Sequence, residues 1–353
     1  MKIFVLLLLF IVSCYVEQTD AAALQCKKDD GTDISWVIYY QIPSTQTAQA
    51  IYAGTDPGWE ATPLDLTKAA GSIGSLLTPF FTQATKEDYN IIAFSNYPPL
   101  FRRCVECGSN TRGVLGWTDD NGWFLFHTVD KWPDFSKTTF AAPPAGKANL
   151  IVCITAPVTT YGSLGTALEY QDPMIYYYIS ATKAQAKNTL ESIPSLKALT
   201  EGSTHVYSPF TMNYKFTVGG TTQTPVYIIS KLSRAYQDVY SSYMTMLLKQ
   251  NLLVWSNPGS KPLLPSYCSG PYKVENVKPK SITVKDTLVS RRQDTSNWVA
   301  SKAPSASAVF CVSITPRTQA ATSIASGVLC MEHQKVQTLF STIAITAGID
   351  ECK

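Results

Sequence analysis

From residue 36 onward the chain alternates short runs of aromatic and β-branched residues with clusters of Gly, Pro, Asn and Asp. Apolar runs bounded by turn formers are the pattern of buried strands. Residues 36–42, 91–94, 150–154, 175–179, 226–229 and 309–313 all read this way. Residues 114–117 and 123–127 flank Asp119-Asp120-Asn121-Gly122, where Asn-Gly tolerates the positive φ of a tight turn and so predicts a hairpin. Helical periodicity is scarcer. Residues 238–253 combine helix formers with an apolar face, and Val336, Leu339, Phe340 and Ile343 repeat at i, i+3, i+4 and i+7. The pattern predicts a mixed α/β fold rich in sheet. Residues 181–208 break the strand pattern and divide the chain into 24–190 and 191–353, with no clear sequence repeat between the two stretches.

Residues 1–23 differ in kind. Lys2, an apolar run from Ile3 to Val12 and a polar stretch ending in Ala21-Ala22-Ala23 have the layout of a cleavable secretory signal, too short to span a bilayer. The mature chain is expected to start near Leu24, to be secreted and to have no membrane attachment after signal removal. Over 353 residues, 45% hydrophobic and 16% charged, the composition excludes a disordered chain. Net charge +3 lacks the basic excess of a protein that coats nucleic acid, although it leaves room for a local basic cleft.

Cys14 leaves with the signal. The eight that remain, Cys26, Cys104, Cys107, Cys153, Cys268, Cys311, Cys330 and Cys352, are an even number in an oxidising route, which favours disulfides. Spacing alone pairs none of them. Cys104 and Cys107, beside Arg102 and Arg103, form a lone CxxC with neither a second CxxC nor a thioredoxin-like context, and read as a local structural disulfide. No Asn-x-Ser/Thr occurs, so N-glycosylation is not expected.

Three histidines, His127, His205 and His333, limit any imidazole chemistry. HExxH, GxSxG, GxxxxGK[ST] and GxGxxG are all missing, so neither a metal nor a nucleotide cofactor is implied. The segments that do stand out are Ser35-Trp36-Val37-Ile38-Tyr39-Tyr40-Gln41-Ile42-Pro43, Ser95-Asn96-Tyr97-Pro98-Pro99, Thr111-Arg112-Gly113-Val114 and Gly122-Trp123-Phe124-Leu125-Phe126-His127. Asp238-Val239-Tyr240, Leu264-Pro265-Ser266-Tyr267-Cys268, Val274-Glu275-Asn276-Val277 and Ser296-Asn297-Trp298-Val299-Ala300-Ser301 follow, with Cys311 and Cys330 suitably spaced. In this order they resemble the deoxyribonuclease II family over nearly the whole mature chain.

The resemblance implies a phospholipase D-like pseudo-dimer, two sheet-and-helix halves around a shared cleft, each giving a His-x-Lys pair to one metal-free phosphodiester site. One histidine attacks phosphorus, the other protonates the leaving oxygen, and the lysines neutralise phosphate charge. It also implies the disulfides Cys26–Cys153, Cys268–Cys352 and Cys311–Cys330, leaving Cys104–Cys107 as an addition of this chain.

Both pairs are degenerate. The first reads Asn110-Thr111-Arg112 and the second Thr295-Ser296-Asn297, so neither keeps its imidazole. Of the family's Asp-x-Asn-Arg and Arg-Gly-Gly-Gly stretches between Cys311 and Cys330, only Arg317 and Gly327 persist. Losing catalytic groups that act as a unit removes on the order of a million-fold in rate. His333-Gln334-Lys335 matches His-x-Lys literally, but residues i and i+2 of a helix do not share a face, and it reads as surface decoration. His127 stands at a histidine position the family shares and reads as a hydrogen-bonded residue that orders the next loop. His205 is assigned no role.

Arginine forks can hold phosphate without cutting it, so a residual phosphate site would use Arg112, Arg317 and His127. With their polar companions gone, the two arginines are expected to pair with carboxylates or solvent instead. Arg102-Arg103, Arg291-Arg292, Lys278, Lys280 and Lys285 read as solvated charge. The resulting expectation is a secreted, disulfide-bonded pseudoenzyme that acts by extracellular binding, with DNA, another polyanion or a host protein as partner. Residual acid endonuclease activity and DNA capture without cleavage are the rival readings, and the sequence leaves oligomeric state open.

Overall fold

The structure is a computed structural model that describes residues 24–81, 88–100, 109–182, 186–220 and 222–353. The first of its two large sheets has the order Ile175–Ile179, Asn90–Ser95, Arg112–Trp117, Asn121–His127, Asn149–Pro157, Trp36–Gln41, Thr47–Tyr52 and Leu64–Asp65. All its neighbours are antiparallel. The second has the order Thr211–Val218, Thr224–Lys231, Ala325–Glu332, Val309–Ser313, Asn297–Ser301, Leu252–Trp255 and Val274–Asn276. Only its last pair is parallel. One short strand, Ser109–Asn110, crosses over and pairs in parallel with Ala325 and Ser326 of the second sheet.

Every strand read from the sequence is present. The central runs are unbroken because the middle strands of each sheet are covered on both faces, whereas the edge strands Ile175–Ile179 and Thr211–Val218 are partly exposed. Trp36, Ile38 and Tyr40 point into a core shared by the two sheets, whereas Val37 and Tyr39 point to an outer core with Trp123 and Leu125. In the shared core Phe340, from the C-terminal helix Gln334–Ala347, stacks on Phe310 at 3.9 Å and meets Trp298 at 5.2 Å and Trp59 at 5.7 Å. Full burial of such a side chain stabilises by roughly 1.5–3 kcal/mol. Disulfides join Cys26 to Cys153, Cys268 to Cys352 and Cys311 to Cys330. Residues 1–23, the Cys104–Cys107 pair and Arg102-Arg103 lie outside the described residues. Among those described, no helix is long and apolar enough to cross a membrane.

Several expectations need correction. Residues 238–253 are not one helix: a π-helical turn, Val239–Met244, and the α-helix Thr245–Leu248 end at Lys249, whose φ is 53°, before the strand Leu252–Trp255. Leu252, Val254 and Trp255 gain more as a buried strand than as a third helical turn. The hairpin does form, but it turns at Asp119-Asp120, and Asn121 and Gly122 already belong to the returning strand. Gly122 is required by close approach, since a Cβ there would sit 2.4 Å from the Gly116 carbonyl oxygen.

Arg291 is not merely solvated. It donates to the carbonyls of Val277 and Pro279 and lies 4.5 Å above the Trp255 ring. Lys285 likewise donates to the carbonyls of Glu60 and Ala61, tying the hairpin of Ser281–Val284 and Thr287–Ser290 to the loop after Thr47–Tyr52.

Candidate functional site

The strands of both sheets end at a common seam. In the first sheet the ends are Ser95, Arg112, His127, Asn149 and Gln41, and in the second Lys231, Ser326, Ser313, Asn297 and Trp255. The positions expected to carry catalytic groups, Asn110, Arg112, Thr295 and Asn297, all lie along this seam, which short-range patterning of either stretch could not reveal.

Arg112 is nearly sealed. Its Nε donates to Asn96 Oδ1 at 2.7 Å, and its Nη1 donates to the Thr128 carbonyl at 2.6 Å and pairs with Asp130 at 2.7 Å. Asn96 in turn donates to Asn110 Oδ1 at 3.1 Å, so both residues of the first degenerate pair share one amide. Thr128 carries the chain onward, its hydroxyl 3.1 Å from that of Thr295. Thr295 also reaches Asn149 Oδ1 and the Ala148 carbonyl. Asn297 is buried, and its Oδ1 accepts from Ser256 Oγ at 2.9 Å and from the Asn257 amide at 2.8 Å. The positions expected to carry proton-transfer and phosphate groups thus hold hydrogen-bonded amides and hydroxyls and one ion pair, Arg112–Asp130, whose carboxylate is partly exposed.

Two glycines fix the surroundings. A Cβ on Gly113 would lie 2.7 Å from Phe94 Cζ, so the strand after the first pair packs too closely for any side chain. A Cβ on Gly327 would lie 2.1 Å from Gln171 Oε1, because the Gln171 amide occupies that space. Gln171 accepts from Thr111 Oγ1 at 2.7 Å and donates to Ser230 Oγ at 2.8 Å, filling the gap between the first pair's strand and the second sheet.

Arg317 belongs to a different cluster. It pairs with Asp238 at 2.9 Å and donates to Asn276 Oδ1 and to the carbonyls of Leu264 and Pro265. The structure therefore does not bring Arg112 and Arg317 together on one ligand. Nor does His127 join them at an open site. It is fully buried on the outer-core face with Trp123 and Leu125, edge-on to Trp132 at 5.2 Å. The ring's polar contact is with the Val129 backbone of the following loop, and neither nitrogen makes a well-aligned hydrogen bond. Burial first, then the Arg112 charge, hold its pKa well below the ordinary value, against a weaker pull from the Val129 backbone. His333 is also not surface decoration. It caps the C-terminal helix half-buried, with its ring 5.4 Å from Trp36, while Lys335 pairs with Asp56 at 3.0 Å.

The seam holds further residues that the sequence did not single out. Asp294, fully buried, accepts from Tyr40 Oη at 2.5 Å, Trp255 Nε1 at 2.8 Å and the Ser296 amide at 2.8 Å. Burial raises its pKa despite these donors. Lys231, also buried, donates to the carbonyls of Ile324 at 2.7 Å and Thr322 at 2.9 Å, and burial lowers its pKa to about 8. Asn96 and Asp294 lie in or beside recognisable segments. Asp130 and Gln171 carry no sequence signal. Among the described residues no cluster of His, Cys, Asp or Glu is arranged to hold a metal ion.

Comparison with known proteins gives the family of the chain. The family model for Deoxyribonuclease II matches residues 25–348. Deoxyribonuclease-2-alpha of Rattus norvegicus is 25% identical over 331 residues, covering 88% of this chain and 90% of the relative. Deoxyribonuclease-2-beta of Homo sapiens is 21% identical over 339 residues, covering 92% and 91%. Plancitoxin-1 of Acanthaster planci is 23% identical over 334 residues, covering 90% of each.

Proposed function

Because the chain belongs to the deoxyribonuclease II family, we propose that it is a secreted deoxyribonuclease II-like protein that has lost the family's cutting chemistry and acts by binding. The reading includes a signal at 1–23 and a phospholipase D-like arrangement of two related halves, 24–190 and 191–353, around the seam. One observation carries it: Asn110, Arg112, Thr295 and Asn297 are engaged with Asn96, Asp130, Thr128, Asn149 and Ser256, with no imidazole among them. An amide or an aliphatic hydroxyl is no substitute for a histidine nucleophile and a histidine acid. His127 supports no detour, since a sealed imidazole that resists protonation neither reaches a phosphate nor supplies a proton in acid.

What remains is a polar seam that joins the two sheets and a surface free to serve a partner, with DNA, another polyanion or an extracellular host protein as the classes to test. The experiment is plasmid nicking by purified, disulfide-bonded protein from acidic to neutral pH, with chelator in one arm and magnesium in the other. No nicking is expected in either arm. Cleavage that co-purifies with the protein and disappears in Thr295→Ala or Asn110→Ala would overturn the proposal.

A further inference from the structure

Tyr207, Phe210 and Tyr236 are exposed to 76%, 37% and 71%, an unusual concentration of aromatic surface in two loops of one molecule. The loops are joined: the Leu232 amide donates to the Phe210 carbonyl, and Arg234 Nη1 reaches the Val206 carbonyl. They lie at a defined place. Phe210 precedes Thr211, which pairs with Lys231, and Lys231 pairs with Ser326, which pairs with Asn110. The aromatic loops therefore sit at the same strand ends as the seam. With about 4.8 Å between strands, Lys231 is three strands, or roughly 14 Å, from Asn297.

Tyr236 adds an independent sign. Its φ is 48°, and it is the one aromatic among the described non-glycine residues with positive φ. An exposed tyrosine gains nothing in packing from that strained backbone, where Gly or Asn would sit at lower cost. Strain of this kind accumulates where a side chain must be presented.

We propose that Tyr207, Phe210 and Tyr236, with Arg234 beside them, form a stacking platform at the mouth of the seam for an unpaired nucleic-acid strand. The proposal rests on the reading of a protein that binds without cutting. Flat rings stack on bases only when the bases are splayed out, so a single strand fits and an intact duplex does not. Arg112 is engaged by Asp130 and Lys231 by the carbonyls of Thr322 and Ile324, so the exposed Arg234 beside the rings is the cation offered to the phosphate backbone. Affinity should then come mostly from stacking, with a shallow salt slope of about −0.7 per phosphate neutralised.

The test is fluorescence anisotropy of the full mature protein with fluorescein-labelled oligo(dT) in chelator, checking oligonucleotide length afterwards. Tyr207→Ala and Tyr236→Ala should each weaken binding roughly 5- to 100-fold, as expected for the loss of one stacked base. Tyr207→Trp should retain it, and a duplex or an abasic strand of equal charge should bind far more weakly. Tyr236→Gly should raise the melting temperature while weakening binding, a combination that a merely structural tyrosine would not give. Equal binding of the abasic strand, undiminished binding by both alanine variants, or no binding of any strand would overturn the platform, the last leaving the patch to a protein partner. Such a failure with the oligonucleotide intact leaves the loss of cutting standing, whereas a shortened oligonucleotide would count against the loss of cutting alone.

Discussion

Arg317→Met separates an arginine that holds the fold from one that waits for a ligand. Only 2% of the Arg317 side chain and 11% of Asp238 are exposed, and the pair meets at 2.9 Å. Three further acceptors, Asn276 Oδ1 and the carbonyls of Leu264 and Pro265, lie at 2.7–3.2 Å from Nη1. The Coulomb attraction of a contact pair is about 4 kcal/mol at an effective dielectric of 20, and desolvation of both charges offsets much of it.

Truncation is a larger perturbation than loss of the pair. It strands the Asp238 carboxylate with the Tyr240 amide and Ser241 Oγ as its remaining donors and leaves the carbonyls of Leu264 and Pro265 without this donor. The expected loss is about 3–5 kcal/mol. Urea unfolding at neutral pH measures it, and Asp238→Asn completes a double-mutant cycle in which the double variant should lose about 1–3 kcal/mol less than the sum. A loss under about 1 kcal/mol, together with weakened retention on a polyanion column, would show that Arg317 serves a ligand and would refute this account.

Three further outcomes follow from buried groups. Burial raises the Asp294 pKa, so the folded chain keeps this proton to higher pH than the unfolded one, and this term favours folding as pH falls toward about 3.9. The stability difference between wild type and Asp294→Asn should therefore grow in wild type's favour on acidification from neutral, and a pH-independent difference would contradict it. His127 has the opposite sign: its pKa is depressed, so the unfolded chain takes up the proton first and stability is lost as pH falls below about 6.5. His127→Phe should gain stability relative to wild type at pH 5 compared with pH 7, and equal shifts at both would show that the imidazole is not sealed. Cys26→Ser/Cys153→Ser opens a link across 127 residues and should cost about 2–5 kcal/mol in denaturant unfolding, with an unchanged midpoint arguing against the bond.

The sequence by itself determined the sheet-rich core, because runs such as 150–154 and 309–313 are bounded by turn formers and buried on both faces, leaving their local pattern no competing element. It also supplied the expectation, through the family resemblance, that Asn110, Arg112, Thr295 and Asn297 stand at the catalytic positions, since side-chain identity needs no fold. The helical pattern of 238–253 runs too far, through Leu252 and Leu253, because a short apolar run carries no period of its own and neighbouring strands on both sides decided its state.

Tertiary structure alone decided what Asn110, Arg112, Thr295 and Asn297 do. Asp130 reaches Arg112 through a loop, Thr128 meets Thr295 across 167 positions, and Gln171 fills the space over Gly327. His127 is buried by strand register on the outer-core side, beside Arg112 but sealed from solvent. Hydrogen bonds and ion pairs of this kind act over about 3 Å between segments far apart in the chain, so no window of sequence contains both partners.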